Sequence, residues 1–174
     1  MKLNNRKINI IRIIMSILFG YFAFYFDMKI YFYLSIVHLV FSLFWMAQTE
    51  GNLLDENKFE IFGYIPATID SFGMTIAVSL TGHLRSFLII GYVIIVLMTS
   101  LTSNKKYGVF AVISSTFLFL LSGILIKNNL FPIINVFGFS TPILWRELVA
   151  STVFIFGVLI LLNRTIFDLI KKER

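Results

Sequence analysis

Ile65-Pro66-Ala67-Thr68-Ile69-Asp70 opens the stretch that decides the fold. An apolar run follows to Leu80, then Thr81-Gly82-His83-Leu84-Arg85-Ser86-Phe87. A second apolar run reaches Leu101 and is closed by Ser103-Asn104-Lys105-Lys106. Two hydrophobic runs of this length joined by so short a turn read as paired membrane-spanning helices. A carboxylate, Asp70, sits midway along the first. An ionisable group at that depth is costly in lipid, which makes it a functional candidate by default.

The rest of the chain repeats the pattern. Of 174 residues, 58% are hydrophobic and only 14% charged, and Phe alone fills 20 positions. A soluble domain is about half apolar and about a quarter charged, so this composition argues for an integral membrane protein. Six spans are expected: Ile8–Phe26, Ile30–Ala47, Ile61–Leu80, Ser86–Thr102, Tyr107–Ile126 and Glu147–Asn163. At about 20 residues each they use about 120 residues and leave no room for a second folded domain. The fold expected is therefore all-α and polytopic, with a six-helix transmembrane domain over residues 1–163. Residues 164–174 begin a connector helix. Phe24-Tyr25-Phe26 stands where a secretory signal would need small residues, so the first run is read as an anchor.

Charge sets the orientation. With six spans both tails share a side. That side carries Lys2, Arg6, Lys7, Arg12, Lys58, Lys105, Lys106, Arg164, Lys171, Lys172 and Arg174, against Lys29, Arg85, Lys127 and Arg146 on the other. The positive-inside rule then places both termini in the cytoplasm and the chain in the inner (plasma) membrane. The net charge of +6 is explained by span ends and lipid, not by nucleic acid. Arg12, one turn inside the first span, is close enough to the surface to snorkel.

Chemistry is sparse. No cysteine is present, which removes disulfides and thiolate chemistry. No spaced nucleophile–base set and no phosphate loop is visible, and no cofactor or metal ion is expected. His38 in the second span and Asp70 in the third fall near the same depth, so an acid and an imidazole are available to form a polar core. The alternative is a structural hydrogen bond worth on the order of 1 kcal/mol. Gly63, Ala67 and Ser71, spaced by four, make a smooth face where another helix can approach. The Lys127–Arg146 connection is apolar and broken by Pro132, Gly138, Pro142 and Trp145. It reads as an interfacial cap, or else as the wall of a ligand pocket. Leu159, Leu162, Ile166 and Leu169 follow spacings of three, four and three, an a/d stripe that leaves the last span without a break. Either it pairs with a second copy in a homodimer, or it lies on lipid with Lys171, Lys172 and Arg174 at the head groups.

Asp70, Thr81-Gly82, Ser86-Phe87, Lys105-Lys106 and the Gly108, Ala111, Ser114 series together resemble the six-span membrane sensor region of bacterial histidine kinases such as the type IV pilus sensor kinase. Related regions also precede nucleotide-cyclase output domains. The resemblance covers roughly spans three to five; His83 stands where that pattern has a second Gly, and no Pro precedes Phe87. It implies six spans, a cytoplasmic C terminus, a homodimer, and a cytoplasmic output domain or response regulator as partner. The candidates for sensing or ligand binding are Asp70, His38, Thr81, Gly82 and His83. The function expected is the membrane input module of a signal-transduction protein, non-catalytic by itself. A substrate-binding membrane subunit of a vitamin or metal transporter is the alternative. A membrane-embedded lipid-modifying enzyme is a third reading without a catalytic set.

Overall fold

The computed structural model describes residues 5–25, 27–50, 64–101, 105–130 and 143–172. Among them are six α-helices: α1 (Asn5–Tyr25), α2 (Lys29–Glu50), α3 (Tyr64–Leu80), α4 (Ile90–Ser100), α5 (Lys105–Lys127) and α6 (Trp145–Lys172). Short 3-10 turns over His83–Arg85 and Phe87–Ile89 join α3 to α4. No strand occurs among the described residues. The all-α expectation is met. Four helices, α1, α2, α5 and α6, are long and apolar enough to cross a membrane. The other two are shorter, with 17 residues in α3 and 11 in α4.

Two compact units divide between Pro66 and Ala67. In the first, α1 and α2 form a hairpin. Its turn is defined in atomic detail: Met28 N–H donates to Ala23 O at 2.7 Å and Asp27 N–H to Phe24 O at 3.1 Å. Asp27 takes the left-handed conformation, φ 53°. This paired closure is the Schellman ending of a helix, and Asp is among the few non-glycine residues that enter it cheaply. Gly20 lets the two helices meet closely, since a Cβ there would stand 2.6 Å from Ser35 Oγ. Phe19 and Tyr31 pack edge to face, 6.0 Å between centroids.

The second unit holds α3 from Ala67 onward together with α4, α5 and α6. Its core gathers Ala67, Val78, Tyr92, Val96, Ala111, Val112, Phe119, Leu148 and Leu159. α6 packs on both α4 and α5 and also touches the His83 turn. Asn129, φ 56°, ends α5 as Asp27 ends α1, with Leu130 N–H donating to Leu125 O at 2.9 Å. The outward faces are apolar: Phe24 is 70% exposed and Phe154 71%, and Val37 and Val153 also stand outside. Rows of large hydrophobics left outside on long helices are what an apolar surrounding favours and water does not.

The start of the fourth helix differs most from expectation. The apolar pattern starts the fourth span at Ser86, but α4 begins at Ile90. Ser86 is extended, φ −71° and ψ 125°, and its Oγ accepts the Leu88 N–H at 3.2 Å. An extended serine whose side chain takes the N–H two residues on caps the start of a helical segment, here the 3-10 turn Phe87–Ile89 that leads into α4. Past Asn163, where the apolar section ends, α6 continues unbroken to Lys172, 28 residues in all. Residues 51–63, which include Gly63, and residues 131–142 lie outside the described residues.

Candidate functional site

The second unit carries a ladder of buried polar side chains through its apolar core. Along α3, Ser71, Thr75 and Ser79 recur every four residues, so they share one helix face. Ser71 Oγ lies 2.9 Å from Ser115 Oγ of α5, and Thr75 Oγ1 lies 2.7 Å from the Tyr92 hydroxyl of α4. The small-residue face around Ala67 and Ser71 is therefore an interface, and α5 is one of its partners. Asp70, next to Ser71, is buried at 7% exposure.

Thr81, Gly82 and His83 come together in the turn after α3. Gly82 has φ +104° and His83 φ +51°, two successive residues in the left-handed region. Glycine adopts that conformation freely; for an L-residue with a Cβ it costs about 1–2 kcal/mol. Thr81 Oγ1 and Ser86 Oγ, 2.5 Å apart, tie the two ends of the turn. The reversal aims the His83 ring inward, where it is fully buried. It stacks on Phe119 at 4.3 Å between ring centroids. Its Nε2 lies 3.0 Å from Phe119 O and 3.0 Å from Ser122 Oγ. A carbonyl can only accept, so Nε2 carries the hydrogen of the neutral ring and Nδ1 is bare. Nδ1 is buried with no hydrogen-bond partner among the described residues, as are Ser79 Oγ and Thr116 Oγ1. Gly123 makes room for the ring: a Cβ there would stand 2.8 Å from His83 Cε1 and would also strike Leu148 of α6. Burial lowers the His83 pKa from 6.5 to about 4, with the Phe119 carbonyl pulling the other way. The imidazole is therefore neutral at pH 7.

A second polar fastening lies further along α6. Ser100 Oγ, at the end of α4, donates to Asn163 Oδ1 at 2.7 Å. Gly108 of α5 backs this pair so closely that a Cβ would overlap Asn163 and stand 2.7 Å from Ser100 Oγ. One amide thus joins α4, α5 and α6. Ser100 and Asn163 are 63 apart in sequence, and no local pattern announces their bond. Lys127 Nζ donates to Ile143 O at 3.2 Å and stands 5.3 Å from the Trp145 ring, which holds together the ends of the long connection.

The hairpin has its own polar seam. Asn9 Nδ2 donates to Thr49 Oγ1 at 3.1 Å, and Arg12 Nη1 donates to Asn9 Oδ1 at 3.3 Å. Ser16 Oγ shares a 2.7 Å hydrogen bond with His38 Nδ1. Arg12, expected to snorkel, is instead buried at 7% exposure, because Asn9 offers it an acceptor one turn away. His38 belongs to the hairpin and Asp70 to the other unit. Of the a/d stripe, Leu159 and Ile166 are buried and Leu162 is packed against the core of their own chain, while Leu169 is 59% exposed. The first three residues are thus already occupied by intramolecular packing.

What these groups offer chemically is hydrogen bonding and proton binding by hydroxyls, amides, two imidazoles and one carboxylate. Comparison of the chain with family models, curated proteins and solved structures returns no match.

Proposed function

We infer that the chain is the membrane input module of a signal-transduction protein, and that α6 is the element that carries its output. The observation behind this reading is the length and attachment of α6. Its 28 residues span roughly 42 Å, against about 30 Å of bilayer hydrocarbon. It is held to the bundle at Leu148, beside His83, and again at Asn163, then runs on past the apolar section without a stop. A helix fastened at both ends and continued beyond is suited to pass a change of packing from one face of a membrane to the other. In this reading the chain crosses six times, with both termini in the cytoplasm of a bacterial cell. α3 and α4 are short for the crossing, and Tyr92 and Val96 of α4 are fully buried. A hydrophobic stretch shorter than the bilayer is accommodated by local thinning of the lipid or by snorkelling flanking residues.

The resemblance of spans three to five to sensor regions points the same way, and so does the split of basic residues. A homodimer is part of the proposal, with its contact shifted to the exposed end of the stripe at Leu169. A histidine kinase or nucleotide cyclase joined through α6 would be the output domain. Two measurements test the reading. Reporter fusions after Arg174 and within residues 128–140 should report opposite sides of the membrane. The reading frame past Arg174 should continue into a catalytic output domain. A stop followed by genes for a pair of transport ATPases that co-purify with the chain would instead favour the transporter reading.

A further inference from the structure

We propose that the turn between α3 and α4 is a proton-operated latch, in which protonation of His83 withdraws its ring from between α5 and α6 and frees Leu148. The geometry of the pocket carries this. The neutral ring fits: one nitrogen donates to a carbonyl, the ring face lies on Phe119, and Gly123 and Leu148 close around it. The protonated ring does not fit. It adds a second N–H at Nδ1, where no acceptor among the described residues is in reach, and a full charge in an apolar pocket. A buried charge without a partner is among the most costly arrangements a fold can hold.

No charged side chain among the described residues hydrogen-bonds the ring. On α5 the nearest in sequence is Lys127, whose Nζ is engaged by Ile143 O and the Trp145 ring. On α6 they are Arg146 and Glu147, both exposed. Arg85 follows two residues on in the same turn. Ser122, Phe119, Gly123 and Leu148, which line the pocket, are uncharged. Exit is also cheap for the backbone. Releasing His83 lets it leave the left-handed region, while Gly82 adopts either hand freely.

The latch should be closed at neutral pH and open on acidification. A ring that titrates at about 4 when latched and at 6.5 when free shifts the latch equilibrium by at most roughly 300-fold between those values. The latched state is fully favoured above pH 6.5 and loses its advantage as pH falls toward 4. That the proton is the stimulus of the module rests on the sensor reading above; the latch itself does not.

The chain has no cysteine, so a single Ser122→Cys thiol reports the pocket in the full chain in nanodiscs. With 4,4′-dithiodipyridine, which reacts with thiols in acid, labelling should rise as pH falls, with a midpoint between about 4 and 6.5. In Ser122→Cys with His83→Gln, which keeps a donor for Phe119 but cannot titrate, the rise should vanish. Labelling independent of pH, or an equal rise without His83, overturns the latch. Should the Gln chain fail to fold, imidazole-labelled wild type decides by magnetic resonance. The His83 ring should hold its hydrogen on Nε2 at pH 7 and titrate below 6.5. A titration at the ordinary value would show a solvated ring and overturn the proposal. A signalling assay on the chain joined to an output domain separates the two ideas. Opening without any change of output refutes the proton as the stimulus of the module and keeps the latch; no opening overturns the latch and leaves the sensor reading with another stimulus.

Discussion

Gly108 and Gly157 make a matched pair of perturbations at two helical glycines. At Gly108 a methyl group overlaps the Asn163 amide and crowds Ser100 Oγ, whereas at Gly157 an added Cβ meets nothing within 4 Å. Gly108→Ala must push Asn163 aside and break its bond from Ser100. The lost bond is worth about 1 kcal/mol, and leaving the buried amide unsatisfied costs about 1–3 kcal/mol more. Alanine returns about 1 kcal/mol through helix propensity, so the net loss is about 2 kcal/mol. Gly157→Ala gains the propensity without a clash and should stabilise by about 0.5–1 kcal/mol. The two variants should therefore differ by about 3 kcal/mol, with opposite signs relative to wild type. Reversible unfolding of the purified chain in mixed micelles, followed by circular dichroism, measures this. A Gly108→Ala chain as stable as wild type would refute the three-helix fastening at Asn163. A destabilised Gly157→Ala chain would show that this face of α6 is occupied by something the single chain does not contain.

Three further outcomes follow from the same geometry. In the unfolded chain His83 takes up its proton at 6.5 and in the folded chain only near 4, so the unfolded state binds more protons in that window. Stability is then complete above pH 6.5 and falls by up to about 3 kcal/mol toward pH 4, a loss that His83→Gln should abolish in the micelle unfolding assay. Asp70→Asn and Asp70→Leu separate charge from hydrogen bonding. If ionisation serves the response, both abolish signalling of the chain joined to an output domain while inserting normally. Wild-type behaviour of Asn, with a loss of about 1 kcal/mol for Leu, would reduce Asp70 to a structural bond. Single cysteines along α6 should crosslink between copies at position 169 and not at 159 or 166, which are buried in their own chain; a peak at 159 or 166 would mean that the bundle opens to dimerise.

The helices are legible in the sequence because long apolar runs leave a chain few alternatives, and the Asp27 turn because Asp-Met-Lys interrupts two such runs. The start of α4 is not. Ser86 does open helical structure, accepting from Leu88 as a cap does, but the turn it opens is the 3-10 turn Phe87–Ile89, and the α-helix proper begins only at Ile90. The 3-4-3 stripe on α6 marks an apolar face, but spacing does not name a partner. The same leucines serve a dimer seam or, as found for Leu159 and Leu162, the core of their own bundle. His83 stands out by its place in a short turn, yet its burial depends on a glycine 40 residues later that leaves space for the ring. The Ser71, Thr75, Ser79 periodicity is open to reading as a polar helix face, whereas the Ser100–Asn163 bond joins helices whose order in space no periodicity states.

The proposed relay of the bundle's state through α6 is tested most directly by the output of a domain joined to it. A kinase or cyclase catalytic domain is joined in helical register after Arg174 and assayed in proteoliposomes. Gly108→Ala, which loosens the Asn163 fastening, should change catalytic output severalfold at unchanged insertion and protein level. Output identical to wild type, in a chain shown by unfolding to have lost the fastening, would contradict the relay.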